Sequence, residues 1–560
     1  MSYTSGQFLG ENARTRGVLW TSLSALFFCL LFAPFAAAQI DTLKVIVNNT
    51  NAVGGVPSTV PIGAFGYDPL TDSIYVAGFA GSDQQLRRID NVDGAQTVTP
   101  LIFATAWNVF TKGGNLNNGN GTPGPSALLF NPLPIPSLGL QSYSNIWVMD
   151  GSPIVTTGSP AVNHPELTQR LYRYNLATDT NGDARDEFTS LMTLAQFQSA
   201  AGASTVLTNS ARQFAWSGDG QSLYFVDTTP AFGGLWKISA AGGAPVKLLS
   251  GASELNVEPA VTSAGGIDTI YLRGAGANAG GIDKVTYNGT TASGRLVAVS
   301  ADTLNNFFEL TSGSLTINAM ASDADGNIYF TDTGSRKGIY RVDTSGRISK
   351  VVSFAERQAA FQVGTTPLNV NALRMQPRTT TFSGPNGSFP ITQILYQESS
   401  PYSFIAGANV FKPGDFNRDN QVNQQDLQLF QQALTIKGVP ASTNNLKFDL
   451  NGNNEVSFED VKILQQFDPF ADGDANMDGI VNITDLRALA ANWMMSGQVW
   501  TGGDFTGEGF VDQADLNIME NNWSPGSLSF NQALNEVSFP EPSFGLLGFL
   551  VTAFALRRRG

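Results

Sequence analysis

The sequence predicts a multidomain protein in which a large all-β domain precedes a smaller all-α region. Between residues 39 and 400, short β-type runs alternate with turns rich in Gly, Asp, Asn and Ser, and helical periodicity is almost lacking. Between residues 411 and 526, one pattern of acidic and amide residues occurs four times, each time followed by apolar residues at helical spacing. The change of periodicity predicts a domain boundary at residue 410.

The charge of the chain is concentrated in the all-α region. The 560 residues, enough for several cores, carry a formal net charge of −14. Residues 411 to 526 contain 17 Asp and Glu against 6 Lys and Arg, a net of −11. Such a surface disfavours nucleic acid as a partner, and its self-repulsion would be relieved by bound cations.

The all-β domain, residues 39 to 410, contains a repeated pair of strands. The first strand of each pair has an aromatic centre, and a second apolar strand follows after a loop. The six centres, 47 to 77 residues apart, are Tyr75, Trp147, Tyr224, Tyr271, Tyr329 and Tyr396. This spacing suits four-stranded propeller blades with insertions. The segment 323–332 resembles the strand-turn signature of NHL-type propellers, so we favour six blades, with seven as an alternative and a β-sandwich or solenoid as further possibilities.

The all-α region repeats the oxygen-ligand spacing of a calcium loop. Calcium takes six to eight oxygens, which short side chains at alternate places of a tight turn can supply, with a backbone carbonyl at place 7. In order of places 1, 3, 5, 7, 9 and 12, the four predicted ligand sets are Asp415, Asn417, Asp419, Gln421, Asn423 and Asp426; Asp449, Asn451, Asn453, Glu455, Ser457 and Asp460; Asp474, Asn476, Asp478, Ile480, Asn482 and Asp485; and Asp504, Thr506, Glu508, Phe510, Asp512 and Asp515. The pattern predicts Ca²⁺ as the cofactor.

Two other places of the loops agree with this interpretation. Place 6 is Asn or Gly in each loop, the residue types that accept a left-handed backbone. Place 8 is Val in each loop, which predicts a buried apolar side chain. Because Asn453 makes place 5 of the second loop neutral, we expect that loop to bind calcium more weakly. Thr506 and Glu508 make the fourth loop atypical.

These loops resemble the dockerin type I module, in which two loop-helix repeats form a calcium-dependent domain that docks onto a cohesin. The resemblance implies two tandem dockerin-like pairs, residues 411–470 and 471–526, each able to mediate protein docking. In dockerins the partner is recognised largely through small hydroxyl residues at places 10 and 11. Here the first loop has Gln424 and Gln425 there, and the second has Phe458 and Glu459, so we expect a cohesin-like partner other than a standard cellulosomal one.

The two ends of the chain predict export and surface sorting. A basic start, an apolar run and Ala36-Ala37-Ala38 predict a secretory signal peptide over residues 1–38 that signal peptidase removes, although an uncleaved anchor is an alternative. Pro540-Glu541-Pro542, an apolar stretch and three arginines resemble a PEP-CTERM signal over 539–560, after a linker at 527–538. The resemblance implies processing by an exosortase, transient membrane anchoring and a Gram-negative cell surface or extracellular matrix.

Residues suited to catalysis are few. The one histidine, His164, lies in a loop-like segment, which disfavours a Ser-His-Asp triad. Three carboxylates end predicted strands, namely Asp150, Asp227 and Asp332. They could act as catalytic carboxylates, or could hydrogen-bond the turns that follow them. The sequence therefore favours a secreted adhesion or scaffold protein whose propeller binds a glycan or protein, with no catalytic residue assigned. Alternatives are a polysaccharide-degrading O-glycosyl hydrolase carrying dockerins and a structural matrix component.

Overall fold

A computed structural model gives the arrangement of the larger part of the chain. It forms one compact unit that begins at Leu43. The residues that the structure describes are 43–48, 62–78, 86–92, 96–102, 125–150, 171–176, 188–202, 214–227, 232–251, 258–311, 315–361, 369–399, 404–524, 526 and 528–540. The predicted signal peptide, His164 and all but the first two residues of the predicted sorting signal therefore lie outside the described residues.

Twenty-four described strands form six antiparallel sheets of four strands each. They are β1 (Leu43–Asn48), β2 (Ile62–Asp68), β3 (Ser73–Gly78), β4 (Leu86–Asp90), β5 (Thr97–Ile102), β6 (Pro125–Phe130), β7 (Asn145–Asp150), β8 (Leu171–Asn175), β9 (Phe188–Ser190), β10 (Phe214–Trp216), β11 (Ser222–Asp227), β12 (Gly234–Ser239), β13 (Val246–Ser250), β14 (Ala260–Ala264), β15 (Ile267–Arg273), β16 (Ile282–Tyr287), β17 (Leu296–Val299), β18 (Ile317–Ser322), β19 (Ile328–Asp332), β20 (Ile339–Val342), β21 (Ile348–Val352), β22 (Asn369–Gly384), β23 (Gly387–Ser399) and β24 (Phe404–Asn409). The predicted six-bladed propeller is confirmed.

The predicted aromatic strands are the second strands of the blades. In the third blade, Tyr224 on β11 faces Lys237 on β12, and Phe225 faces Trp236. All six residues of β11 are buried, because the strand lies between two strands of its own sheet and between neighbouring blades. A strand covered on both faces and both edges favours β-branched and aromatic residues, which is why this strand gives the clearest sequence signal.

The sixth blade joins the two ends of the propeller. Its strand order is β1-β24-β23-β22, so the N-terminal strand is the outer neighbour of the last strand. Leu43 pairs with Ala408 and Asn48 with Phe404 in antiparallel register. Leu43 and Ile46 are buried in this arrangement. The ring is therefore closed by backbone pairing between segments about 360 residues apart.

Short helices interrupt the all-β domain, contrary to the near absence of helix that the sequence predicts. They are α1 (Leu194–Ala201), α2 (Ala301–Phe307) and α3 (Phe354–Phe361). With seven or eight residues each, they are too short for a clear hydrophobic period. Their starts are fixed locally, since the Thr193 and Ser300 side chains accept backbone N–H bonds from the first turns of α1 and α2.

The C-terminal region is helical and has one apolar core. Its helices are α4 (Gln424–Ala433), α5 (Phe458–Leu464), α6 (Ile483–Ala491), α7 (Gln513–Asn521) and α8 (Phe530–Glu536). Leu427, Val461, Leu486 and Leu516, one from each of α4 to α7, are buried in a single cluster. The segment predicted as a linker contains α8, which starts at a Ser529–Gln532 capping box and buries Phe530 and Ala533 in the same cluster.

Among the described residues, no helix is long and apolar enough to cross a membrane. The predicted apolar segments at the two ends lie outside the described residues.

Candidate metal centre

The first carboxylate of each loop fixes the turn through backbone N–H groups. Asp415 accepts hydrogen bonds from the N–H groups of Asp419 at 3.1 Å and Asn420 at 3.0 Å. The same bonds, from places 5 and 6 to place 1, recur at Asp449 and Asp474. In the fourth loop, Asp504 accepts from places 4 and 6. The loop is thereby wrapped around its first carboxylate.

The last carboxylate closes each loop and starts the following helix. Asp426 accepts from the N–H groups of Phe416 at 2.8 Å and Asn423 at 3.1 Å. Asp460 and Asp515 accept from places 2 and 9 of their loops in the same way. Asp485 accepts from place 9 as well, at 2.9 Å. Each place-12 Asp is also the third residue of its helix, where a carboxylate stabilises the helix start.

The backbone conformation at place 6 is confirmed and shows a second left-handed place. Place 6 has positive φ in all four loops, at 69° for Asn420 and Asn454, 88° for Gly479 and 79° for Gly509. Place 4 also has positive φ in every loop, and the residues there are Arg418 (60°), Gly452 (77°), Met477 (52°) and Gly507 (78°). The sequence did not indicate place 4, because Arg and Met give no sign of a left-handed backbone.

Buried carboxylates of the first loop converge as a divalent cation requires. Ligand oxygens of Asp415, Asp419 and Asp426 all lie within 4.8 Å of one another, and all three residues are buried. Burial raises the pKa of Asp415 to about 6, and the negative charge of the neighbouring Asp426 is the second cause of this increase. Three carboxylates in a buried, oxygen-lined loop are the environment in which Ca²⁺ is stabilising. These residues therefore fit the ion.

The other loops share parts of this arrangement. Burial raises the pKa of Asp474 to about 6, and that of Asp460 well above its usual range, with Asp449 the next cause for Asp460. In the fourth loop, Glu508, Asp512 and Asp515 bring ligand oxygens within 4.8 Å of one another. The atypical Thr506 donates its hydroxyl to Asp504 at 3.2 Å.

The prediction of a buried Val at place 8 is correct for three loops. Val456, Val481 and Val511 are fully buried, but Val422 of the first loop is only partly buried. The backbones of Val456 and Val511 accept N–H bonds from the segments after α4 and α6, and Val481 exchanges bonds with Ser524. These segments cover the three buried valines.

Two described propeller side chains form hydrogen bonds with predicted ligand side chains of the loops, and sequence reasoning missed both. Glu309, two residues after α2, accepts hydrogen bonds from the side-chain amides of Asn453 at 2.6 Å and Asn451 at 3.3 Å. Asn386, at the tip of the β22–β23 hairpin, donates to the Asp419 carboxylate at 2.8 Å. Neither contact has a local sequence signal, since each joins residues more than thirty positions apart.

The strand-end carboxylate of Asp332 in the propeller is bonded by backbone N–H groups. Asp332 accepts from the backbone N–H groups of Thr316 at 2.7 Å, Gly334 at 2.9 Å and Arg336 at 2.6 Å. It therefore holds the turn between β19 and β20, and Asp227 is buried at the end of β11. Both lie at the ends of second strands, as does Asp150 on β7. The turn-holding role is thus observed directly for Asp332.

The fold and loops define a modular protein in which a β-propeller precedes a loop-helix calcium module. Residues 413–467 match the family model for the dockerin type I domain. This match covers the first predicted pair of loops and their helices. Dockerin type I domains bind Ca²⁺ and generally bind cohesin partners, and proteins that contain them are typically extracellular or on the cell surface. Ca²⁺ is thus the cofactor of this domain.

Solved structures with similar folds are distant in sequence. A nidogen/laminin complex matches at 13% identity and a TM-score of 0.31, over 52% of this chain and 78% of that one. An auxiliary nutrient binding protein from Bacteroides ovatus matches at 12% and 0.37, over 66% and 76%. A gluconolactonase from Xanthomonas campestris matches at 10% and 0.35, over 65% and 89%. No curated protein matches. At such scores, the similarities say nothing about ligand or activity.

Proposed function

We propose that this protein is a secreted calcium-binding protein of adhesion or scaffold type that docks a partner through the first loop of its dockerin domain. One observation supports this assignment most directly. Gln424 and Gln425, at places 10 and 11 of the first loop, are exposed at the start of α4. They stand where dockerins contact their partners, so the surface needed for docking is open.

The corresponding surface of the second loop is largely covered within the chain. The Phe458 ring lies 6.0 Å from that of Trp500. Gly507 packs so closely on the Phe458 ring that a Cβ at position 507 would clash with it. Glu459 forms an ion pair with Lys437. A partner that approached this surface would have to displace these contacts. We therefore expect one partner per dockerin domain, a cohesin-like domain with a polar contact surface that complements the two glutamines.

The calcium ligands are proposed as the twenty-four residues that the sequence predicts. The repeated hydrogen bonds around the place-1 and place-12 carboxylates support all four loops. We propose residues 411–470 and 471–526 as two dockerin-like pairs, and residues 1–38 and 539–560 as signals for export and exosortase-dependent surface sorting. The terminal proposals rest on the sequence alone.

The propeller is proposed to bind a glycan or a protein. An open groove of about 600 Å³ between the fourth and fifth blades presents Tyr271, Lys284 and Asp325. An aromatic ring beside charged groups suits a sugar or a polar peptide. Retention on one member of a panel of bacterial and plant polysaccharides, without released sugars, is the expected result. Release of sugars would support a glycoside hydrolase instead.

Docking is tested by binding to a panel of recombinant cohesin domains in millimolar calcium. We expect one cohesin to bind, and a chelator to abolish binding. Changing Gln424 and Gln425 to Arg should weaken that binding by at least about tenfold, since buried charges without partners are costly. Gln513→Arg, at place 10 of the fourth loop, is the matched control and should bind normally. Equal loss in the control, or no binding by any cohesin, would contradict the proposal.

A further inference from the structure

The second loop has the fewest carboxylates among its predicted side-chain ligands. The first and third loops each have three carboxylates and the fourth has four, whereas the second has only Asp449 and Asp460. The difference from the first and third loops arises at place 5, where Asn453 replaces Asp. Because calcium affinity depends on ligand charge, this loop needs negative charge from elsewhere.

The propeller places a carboxylate beside this neutral position. Glu309 Oε2 accepts from Asn453 Nδ2 at 2.6 Å and from Asn451 Nδ2 at 3.3 Å, so one oxygen holds both amides. Its other oxygen pairs with Lys437, which also pairs with Glu459. Two carboxylates share one ammonium group, and one net negative charge remains beside the loop. The Glu309 side chain is 19% exposed, so water screens this charge only partly.

The two amides are turned as calcium ligands need to be. Asn451 Oδ1 accepts from the Asn453 N–H at 3.0 Å, and Asn453 Oδ1 accepts from the Glu455 N–H at 2.8 Å. Both side-chain oxygens therefore face into the loop, while both NH₂ groups point toward Glu309. Groups that bond the outer side of a metal ligand fix its orientation and raise its affinity for the ion.

Two further observations indicate a built contact. Glu309 has a φ of 51°, a left-handed conformation that is uncommon for a non-glycine residue and persists where surrounding contacts fix it. In the first loop, where place 5 is the charged Asp419, the propeller instead supplies a neutral donor, Asn386, at 2.8 Å. The charged Glu309 therefore contacts the neutral residue at place 5 of the second loop, and the neutral Asn386 contacts the charged residue at place 5 of the first loop.

We propose that Glu309 is a positioning residue of the second calcium loop, so that the propeller and the dockerin domain complete this site together. The inference rests on the proposed ligands Asn451 and Asn453. It makes the junction calcium-dependent, because an ion that binds more tightly to the docked arrangement must also stabilise that arrangement.

Calcium titration calorimetry of the full chain at fixed ionic strength tests the inference. Glu309→Gln should weaken one site by about tenfold, as expected for loss of a group that orients metal ligands, and leave the other sites within about twofold. Glu536→Gln removes the same charge from an exposed position on α8 and should change nothing. Unchanged affinities for Glu309→Gln would overturn the inference.

Three further variants separate positioning from general destabilisation. Asp449→Ala should remove one site, and adding Glu309→Gln to it should alter none of the remaining sites. Asn453→Asp combined with Glu309→Gln should restore the affinity of the weakened site, because the charge is returned within the loop. Failure of this rescue would overturn the role of Glu309. If Asp449→Ala removed no site, the ligand assignment itself would be wrong, and the inference with it.

Discussion

At the scale of single residues, Asp426 joins the predicted ligand set of the first loop to the start of α4. Its carboxylate closes the loop onto the Phe416 and Asn423 N–H groups and caps α4. The same oxygens lie beside those of Asp415 and Asp419. Removing the side chain should therefore affect both calcium binding and folding of the domain without calcium.

The first prediction concerns Asp426→Ala. We expect calorimetry to show one calcium site fewer than in the unchanged protein, because the bidentate position of the loop is lost. Asp426→Asn should also lose the site, but should be less destabilised in chelator, since its carbonyl still accepts an N–H bond. Asp302→Ala, at an exposed position on α2, is the control. Unchanged stoichiometry for Asp426→Ala would show that the ligand is misassigned.

A second prediction concerns Asp332 in the propeller. Asp332→Ala should lower the free energy of unfolding of the propeller by about 3 kcal/mol or more, because several backbone N–H groups lose their buried acceptor. Thermal denaturation measures the effect. Asp325→Ala, at an exposed turn of the same blade, should change stability by no more than about 0.5 kcal/mol. If Asp332→Ala were as stable as the unaltered protein, the Asp332 carboxylate would not be needed to hold the turn, and a catalytic role would become the better interpretation.

At the scale of elements, the predictability of each strand follows its burial. The second and third strands of the blades were found because they are flanked by strands on both sides and carry aromatic residues, as β11 does with Tyr224. The closure by β1 was not found, since Leu43–Asn48 is one apolar run among several and its partner is hundreds of residues away. Strand pairing between distant segments leaves no local pattern.

The calcium loops were predictable for the opposite reason. Place 1 bonds to places 5 and 6, and place 12 to place 9, so the loop is specified within twelve residues. Glu309 and Asn386 reach the loops across the domain boundary and could not be predicted from spacing. The sequence thus specifies the local hydrogen-bonded loop, and only the fold shows what lies around it.

A third prediction tests the closing strand. A protein that begins at Asn49 lacks β1, and one that begins at Leu43 retains it. Loss of two buried side chains, at about 1.5–3 kcal/mol each, and of the pairing with β24 should lower the Tm of the propeller by at least about 5 °C. Scanning calorimetry compares the two proteins. Equal Tm values would show that β1 adds nothing to closure.

At the scale of the whole molecule, the C-terminal loops share one apolar core. Buried side chains from Phe416 to Ala533 form a continuous cluster that includes both predicted pairs. Trp500 of the second pair lies within it, and its ring lies 6.0 Å from that of Phe458 of the first pair. Gln431 on α4 donates to the backbone of Asn476. These contacts link the first pair of loops to the second, so each pair should depend on calcium in the other.

The last prediction is that calcium removal unfolds this helical region in one step. An occupied site contributes about 2.7 kcal/mol when free calcium exceeds Kd a hundredfold. Chelation should therefore lower the temperature of a single calorimetric transition. The temperature of the propeller transition should change much less, because the predicted ligands lie after β24. Trp500→Ala, which removes a large side chain from the shared cluster, should split the lowered transition into two. Trp216→Phe is the control and should shift only the propeller transition, since that ring packs on Trp147. Two separate calcium-dependent transitions in the unaltered chain would show that the pairs fold independently.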